Sequence, residues 1–140
     1  MNKIKKNIIC IIIILLSNFT LVNSSENKIL FKLNNNIITT VDLLNEIQFL
    51  SLINNEFANL DKDKKIEIAK NSQIRDKVKL IEISKFRNEF NLPDSTIEKL
   101  IKNYFTNLNI SNLKDFDSFF KENNLDTDFI KMKIILDTMW

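Results

Sequence analysis

The chain contains no glycine, and its only proline is Pro93. These two facts limit the fold more than any motif does. Where the backbone must turn sharply, another residue has to take glycine's place, and asparagine tolerates a left-handed backbone better than the rest. A helix cannot run through Pro93, because proline lacks an amide hydrogen and clashes with the preceding turn. The stretch KLNNNIITTVDLL, residues 32–44, sets three asparagines between two apolar runs. Its simplest reading is a small β-hairpin, or a strand and tight turn, with Asn in place of the usual Gly. Ile, Lys and Asn are over-used along the whole chain, so counts of Asn or Lys carry no argument by themselves.

A length of 140 residues suits one domain rather than two. Hydrophobic residues make up 44% and charged residues 27%, a balance that argues against disorder. Residues 1–24 read as a secretory signal peptide. Lys3, Lys5 and Lys6 form a basic start, Ile8 to Leu16 is an unbroken apolar run, and Val22-Asn23-Ser24 offers a site for signal peptidase. Ile9 is too bulky to precede a lipoprotein cysteine at Cys10. The alternative is an uncleaved anchor, for which the apolar run is short of the ~20 residues that span hydrocarbon unless residues 17–22 are added. Cleavage removes three lysines and no acid, so the formal charge of +2 becomes slightly negative. Residues 25–140 then have no basic excess to hold nucleic acid. They also have no cysteine, so an oxidising compartment raises no disulfide question.

The absences narrow the chemistry further. With no histidine there is no Ser-His-Asp relay, no Cys-His pair and no His-ligated metal. With no glycine there is no phosphate-cradling loop. We expect neither cofactor nor metal.

The secreted part reads as mainly α. Ile29 to Leu33 has strand character, and Thr39 with Asp42 forms a capping-box signal for a first helix over about residues 40–54. Residues 56–64 read as a polar connection. A long helix is expected from about Asp63 to Phe90, with a possible break at Asn71-Ser72. Its stripe of Ile74, Val78 and Ile81, widened by Leu80, Ile83, Phe86 and Phe90, predicts burial on more than one side. Ser95 with Glu98 predicts a capping box for the next helix, whose apolar positions run from Ile97 to Leu108. Asn109-Ile110-Ser111 reads as a loop. Leu113, Phe116, Phe119 and Phe120 mark a fourth helix ending near Asn123-Asn124. Asp126 or Asp128 caps a fifth, with Phe129, Met132, Leu136 and Met139 on one face.

This order resembles the N-terminal domain of the SurA-like periplasmic chaperones, a family of exported peptidyl-prolyl isomerases. That family opens with an apolar strand, then V-N-G-x-x-I-T-x-x-D, then a helix. Here Asn34, Ile38, Thr39 and Asp42 match, Leu33 stands for the Val and Asn35 for the Gly. Leu80 to Leu92 looks like the end of the family's long helix, residues 93–98 like its capped helix, and residues 111–140 like its closing helix pair. The resemblance covers residues 29–140 and implies a short strand or hairpin followed by about five helices. It implies a periplasmic location, with cleavage near Ser24. It also implies a holdase that binds unfolded outer-membrane polypeptides without chemistry. The family's parvulin domains have no counterpart here, and a parvulin site is built around histidines, so isomerase activity is not carried over. The family's returning C-terminal helix has no counterpart either, which leaves two readings: a truncated form of a longer chaperone, or a dimer or partner that supplies the helix.

For the client surface the candidates are Phe116, Phe119, Phe120, Met132, Met139 and Trp140. A Phe or Met at helical spacing is more often a core residue, whereas a terminal Trp has few neighbours to bury it. The competing reading is a helical envelope scaffold or interaction subunit, with or without a retained leader as its anchor. An enzyme is the weakest reading. The carboxylate pairs Asp61/Asp63, Asp115/Asp117 and Asp126/Asp128 sit at helix starts, where capping and solvation account for them. The purified chain should therefore leave prolyl isomerisation of a test peptide at its buffer rate, and acceleration would overturn this expectation.

Overall fold

The structure is a computed structural model that describes residues 27–87 and 89–140. The expected signal segment and its cleavage point near Ser24 lie outside the described residues. The protein is mainly helical, with a two-stranded hairpin ahead of six helices among the described residues.

Strands β1 (Ile29–Leu33) and β2 (Asn36–Thr39) pair antiparallel, with Leu33 opposite Asn36 and Phe31 opposite Ile38. Asn34 turns the chain with φ 53°. Thr39 then caps α1 (Thr40–Ile53): its hydroxyl accepts from the Asp42 amide at 3.3 Å, and the Asp42 carboxylate accepts from the Thr39 amide at 2.7 Å. The expected hairpin and capping box are both present. Every described residue with a left-handed backbone is an asparagine: Asn34, Asn109 and Asn124. Asn109 ends a short 3-10 turn over Thr106–Leu108.

Elsewhere the structure corrects the sequence expectations. The stretch expected as a polar connection contains a one-turn helix, α2 (Asn55–Ala58), because Asn54 caps it through the Phe57 amide and Phe57 is buried. The long helix α3 spans Lys62–Ser84 without a break at Asn71-Ser72, and it stops short of Phe90. Beyond Ser84 the amides of Lys85 and Phe86 bond back to Glu82 and Ile83, and Phe86 finds no core, being 86% exposed. The most buried positions of α3 are Ala69, Ser72 and Gln73 rather than the Ile74, Val78, Ile81 stripe, which stays half covered. Small side chains at Ala69 and Ser72 let neighbouring elements approach closely on that side.

Helix α4 (Asp94–Tyr104) starts at Pro93, and the expected Ser95–Glu98 capping box is absent. Pro93 has a helix-compatible φ of −57°, so the helix begins early and Ser95 falls inside its first turn. The Pro93 carbonyl accepts from Thr96 and Ile97 instead of a side chain doing so. Helices α5 (Leu113–Glu122) and α6 (Thr127–Met139) follow, capped by Asn112 and Asp126. The buried side of α6 is Thr127, Ile130, Ile134, Ile135 and Leu136; of the face expected from periodicity only Leu136 is buried.

The core gathers Phe49 from α1, Ile101 and Phe105 from the end of α4, Phe116 and Phe120 from α5, and Ile130 and Ile134 from α6. Phe105 is its hub. Its ring centroid lies 5.2 Å from Phe120, 5.8 Å from Phe116 and 6.4 Å from Phe49. Truncation of a ring at this junction opens a cavity the neighbours cannot close. Phe120→Ala should lower unfolding free energy by about 3–5 kcal/mol in urea titration. At the Asn109 turn, Gly should be tolerated, whereas Ala should cost about 1 kcal/mol.

Candidate functional site

Three helices meet over a buried carboxylate. Glu46 of α1 is fully buried, yet it lies on the same stripe as Leu43, Leu50 and Ile53. An isolated ion there would be prohibitive, so it has partners. Gln73 of α3 donates to Oε2 at 2.9 Å, and the Lys133 ammonium of α6 reaches both oxygens at 3.0 and 2.9 Å. Lys133 also pairs with Asp76 and lies 5.6 Å from the rings of Phe49 and Phe129. Two carboxylates thus share one ammonium. Burial pushes Asp76 above the usual carboxylate range, against the pull of Lys133. Asp76 therefore adds most to stability at acid pH and less as pH rises through its raised value.

A second cluster lies beside the first. Asp137 of α6 accepts from Lys79 of α3 and from the Tyr104 hydroxyl. Burial opposes its charge, but the Lys79 and Tyr104 hydrogen bonds outweigh that and hold Asp137 below its ordinary value. Tyr104 is raised in turn, first by burial and then by its bond to Asp137, and stays a phenol at neutral pH. Together these groups wall a cleft of about 520 Å³, with Phe49, Leu50 and Ile53 on one side and Arg75 and Trp140 on others.

Smaller grooves run along the outer side of α6. Met139 lines one of about 400 Å³ with Ile83, Phe86 and Arg87. Met132 lines two more, one with Leu80 and Phe129 and another of about 450 Å³ with Phe90, Leu92 and Ile135. A further apolar groove of about 460 Å³ lies between Leu43, Leu44 and Ile47 of α1 and Ile66 of α3.

The six residues expected to contact a client therefore separate. Phe116 and Phe120 are wholly inside the aromatic core and present no surface, which corrects their assignment: α5 buries that face against α4 and α6. Phe119 is partly buried and packs edge-on against Phe120 at 5.0 Å. Met132, Met139 and Trp140 do line surface depressions, and Trp140 is 66% exposed. The acidic pairs cap and bridge. Asp61 accepts from the Lys64 amide, which lowers its pKa, and Asp126 accepts from the Asp128 amide. Asp115 accepts from Asn112, and Asp117 pairs with Lys131 at 3.2 Å.

Neither the Glu46–Lys133–Asp76 nor the Lys79–Asp137–Tyr104 cluster is among the sites expected from the sequence. A signal existed in Glu46, a carboxylate inside an apolar stripe. Its partners could not be found by spacing, since Lys133 stands 87 positions away.

Among the described residues, no group of three or more His, Cys, Asp or Glu side chains is arranged to hold a metal ion. None of the described helices is long and apolar enough to cross a membrane. The class defined so far is a small helical domain with an N-terminal hairpin, a charged cleft and apolar grooves. Comparison with known protein families, with curated proteins and with solved structures finds no match to the chain.

Removing Lys133 leaves Glu46 buried without its counter-ion. Lys133→Met should cost about 3–5 kcal/mol in urea titration, and adding Glu46→Met should restore most of it. Asp137 works through its lowered pKa, so its contribution is present above the ordinary carboxylate range and is lost below it. Asp137→Asn should be less stable than the parent at neutral pH, with the gap closing below about pH 4.

Proposed function

We propose that the chain is an exported holdase of the SurA-like kind, which keeps unfolded outer-membrane polypeptides soluble in the periplasm without making or breaking bonds. The observation that carries this reading is the set of grooves along α6, floored by Met132 and Met139 and bordered by the exposed Phe86. Methionine is unbranched and polarizable, so one Met-lined surface accommodates many apolar side chains. Arg87, which lines one of these grooves, adds a polar anchor for a bound backbone. The resemblance of residues 29–140 to the family, with its matched Asn34, Ile38, Thr39 and Asp42, supports the same reading.

A dimer or a partner helix belongs to this proposal as well. It is favoured by the half-covered stripe of Ile74, Val78 and Ile81 on α3, where Val78 is 40% exposed.

Light scattering from a denatured porin diluted into buffer tests the holdase reading. The chain should suppress aggregation at near-equimolar ratio. Met132→Asp with Met139→Asp should weaken suppression about tenfold or more, since each buried Met contributes ~1.5–3 kcal/mol to contact. The fold should persist, because neither residue belongs to the buried core. A folded parent that fails to hold the porin overturns the proposal.

A further inference from the structure

We infer that the groove between α1 and α3 holds a fatty-acid anion. This inference is independent of the holdase reading, which rests on the outer side of α6. Leu43, Leu44 and Ile47 lie on one stripe of α1, and Ile66 of α3 faces them across the groove. Leu44 is 49% exposed, and the other three are only partly covered. The volume of about 460 Å³ falls within the range of small-molecule sites, about 300–1,000 Å³.

Charge decides the ligand. The charged side chains that line the groove are Lys62 and Lys65, both at the start of α3, and no described acid lines it. Lys62 is exposed and has no partner among the described residues. Lys65 donates to the Ala58 carbonyl at 2.7 Å, a neutral acceptor that leaves its charge in place. Asp42 keeps its negative charge, but the helical repeat sets it on the far side of α1 from the Leu43, Leu44, Ile47 stripe. Asp61 accepts from the Lys64 amide and pairs with its ammonium at 3.7 Å. Asp63 and Glu67 fall outside the stripe that Lys62, Lys65 and Ile66 form on α3. An apolar groove with two cations on its wall suits an alkyl body with an anionic head.

An alkyl chain also fits better than a polypeptide. Both walls are unbroken helices, whose amides and carbonyls bond within the helix. An extended backbone laid between them would lose water and meet no backbone partner. A hydrocarbon chain has no such groups to satisfy. One groove takes one chain, so a two-chain phospholipid would leave its second chain in water. A second copy in isologous contact presents the same concavity, which cannot fill this one.

Titration of the full chain with dodecanoate, below its micelle-forming concentration, tests the inference, with methyl NMR spectra reporting the place. The methyl signals of Leu43, Leu44, Ile47 and Ile66 should shift and saturate. Dodecanol and dodecylammonium should bind several-fold more weakly. Removing two carbons from the acid should weaken binding about tenfold. Lys62→Glu should weaken it several-fold and Lys62→Arg should restore it; the exposed position leaves the fold intact. Met132→Asp with Met139→Asp should leave dodecanoate binding unchanged, so failure here and failure of the holdase reading are told apart. Equal binding of the alcohol or the amine, indifference to Lys62→Glu, or shifts confined to α6 would each overturn the inference. So would displacement of dodecanoate by a denatured porin, which would make the groove a polypeptide site, or concentration-dependent shifts of the same methyls without the acid, which would make a second copy the occupant.

Discussion

The arrangement of the helices depends on one ammonium group. Lys133 reaches the buried Glu46 on α1 and the half-buried Asp76 on α3 from its own place on α6. Three helices distant in sequence thereby acquire a common register. A hydrophobic contact tolerates sliding, because area is non-directional. A carboxylate sealed from water does not, since any slip that separates it from its partners leaves an unpaired charge inside. The cleft beside this pair follows from it. Lys79 of α3 and Asp137 of α6 line its wall because these helices are held at that spacing, and Tyr104 at the end of α4 closes it.

Burial elsewhere is aromatic and local. Phe105 joins α1, α4 and α5 by ring contacts, and Asn109 and Asn124 supply the left-handed turns that return the chain to this hub. The domain uses up the apolar sides of α4 and α5 in doing so. It leaves the outer side of α6, the middle of α3 and the hairpin's outer face incompletely covered. The functional reading grows from that imbalance: methionine-lined grooves suit changing apolar segments.

The candidate surface was legible only in part. Met132, Met139 and Trp140 were identified from sequence and do line surface depressions. Phe116 and Phe120 were identified on the same grounds and are core, because spacing along one helix says which residues share a face and not what that face meets. The same limit explains α3. Its isoleucine stripe promised burial, yet its inner side is Ala69, Ser72 and Gln73, chosen by close approach and by the hydrogen bond to Glu46. Phe86 extended the stripe on paper and stands in solvent, since α3 ends two residues before it.

What the sequence determined by itself is whatever the backbone decides locally. The hairpin with Asn34 at its tip, the Thr39–Asp42 cap, the interruption at Pro93 and the caps at Asn112 and Asp126 each involve residues a few positions apart. Their energies hold in almost any tertiary setting. The tertiary structure alone decided that Glu46 would be buried, that Lys133 would find it, and that α6 would turn Met132 and Met139 outward. Those outcomes depend on electrostatics and packing between segments far apart in the chain, and a charge's cost is defined only once its surroundings have lost their water.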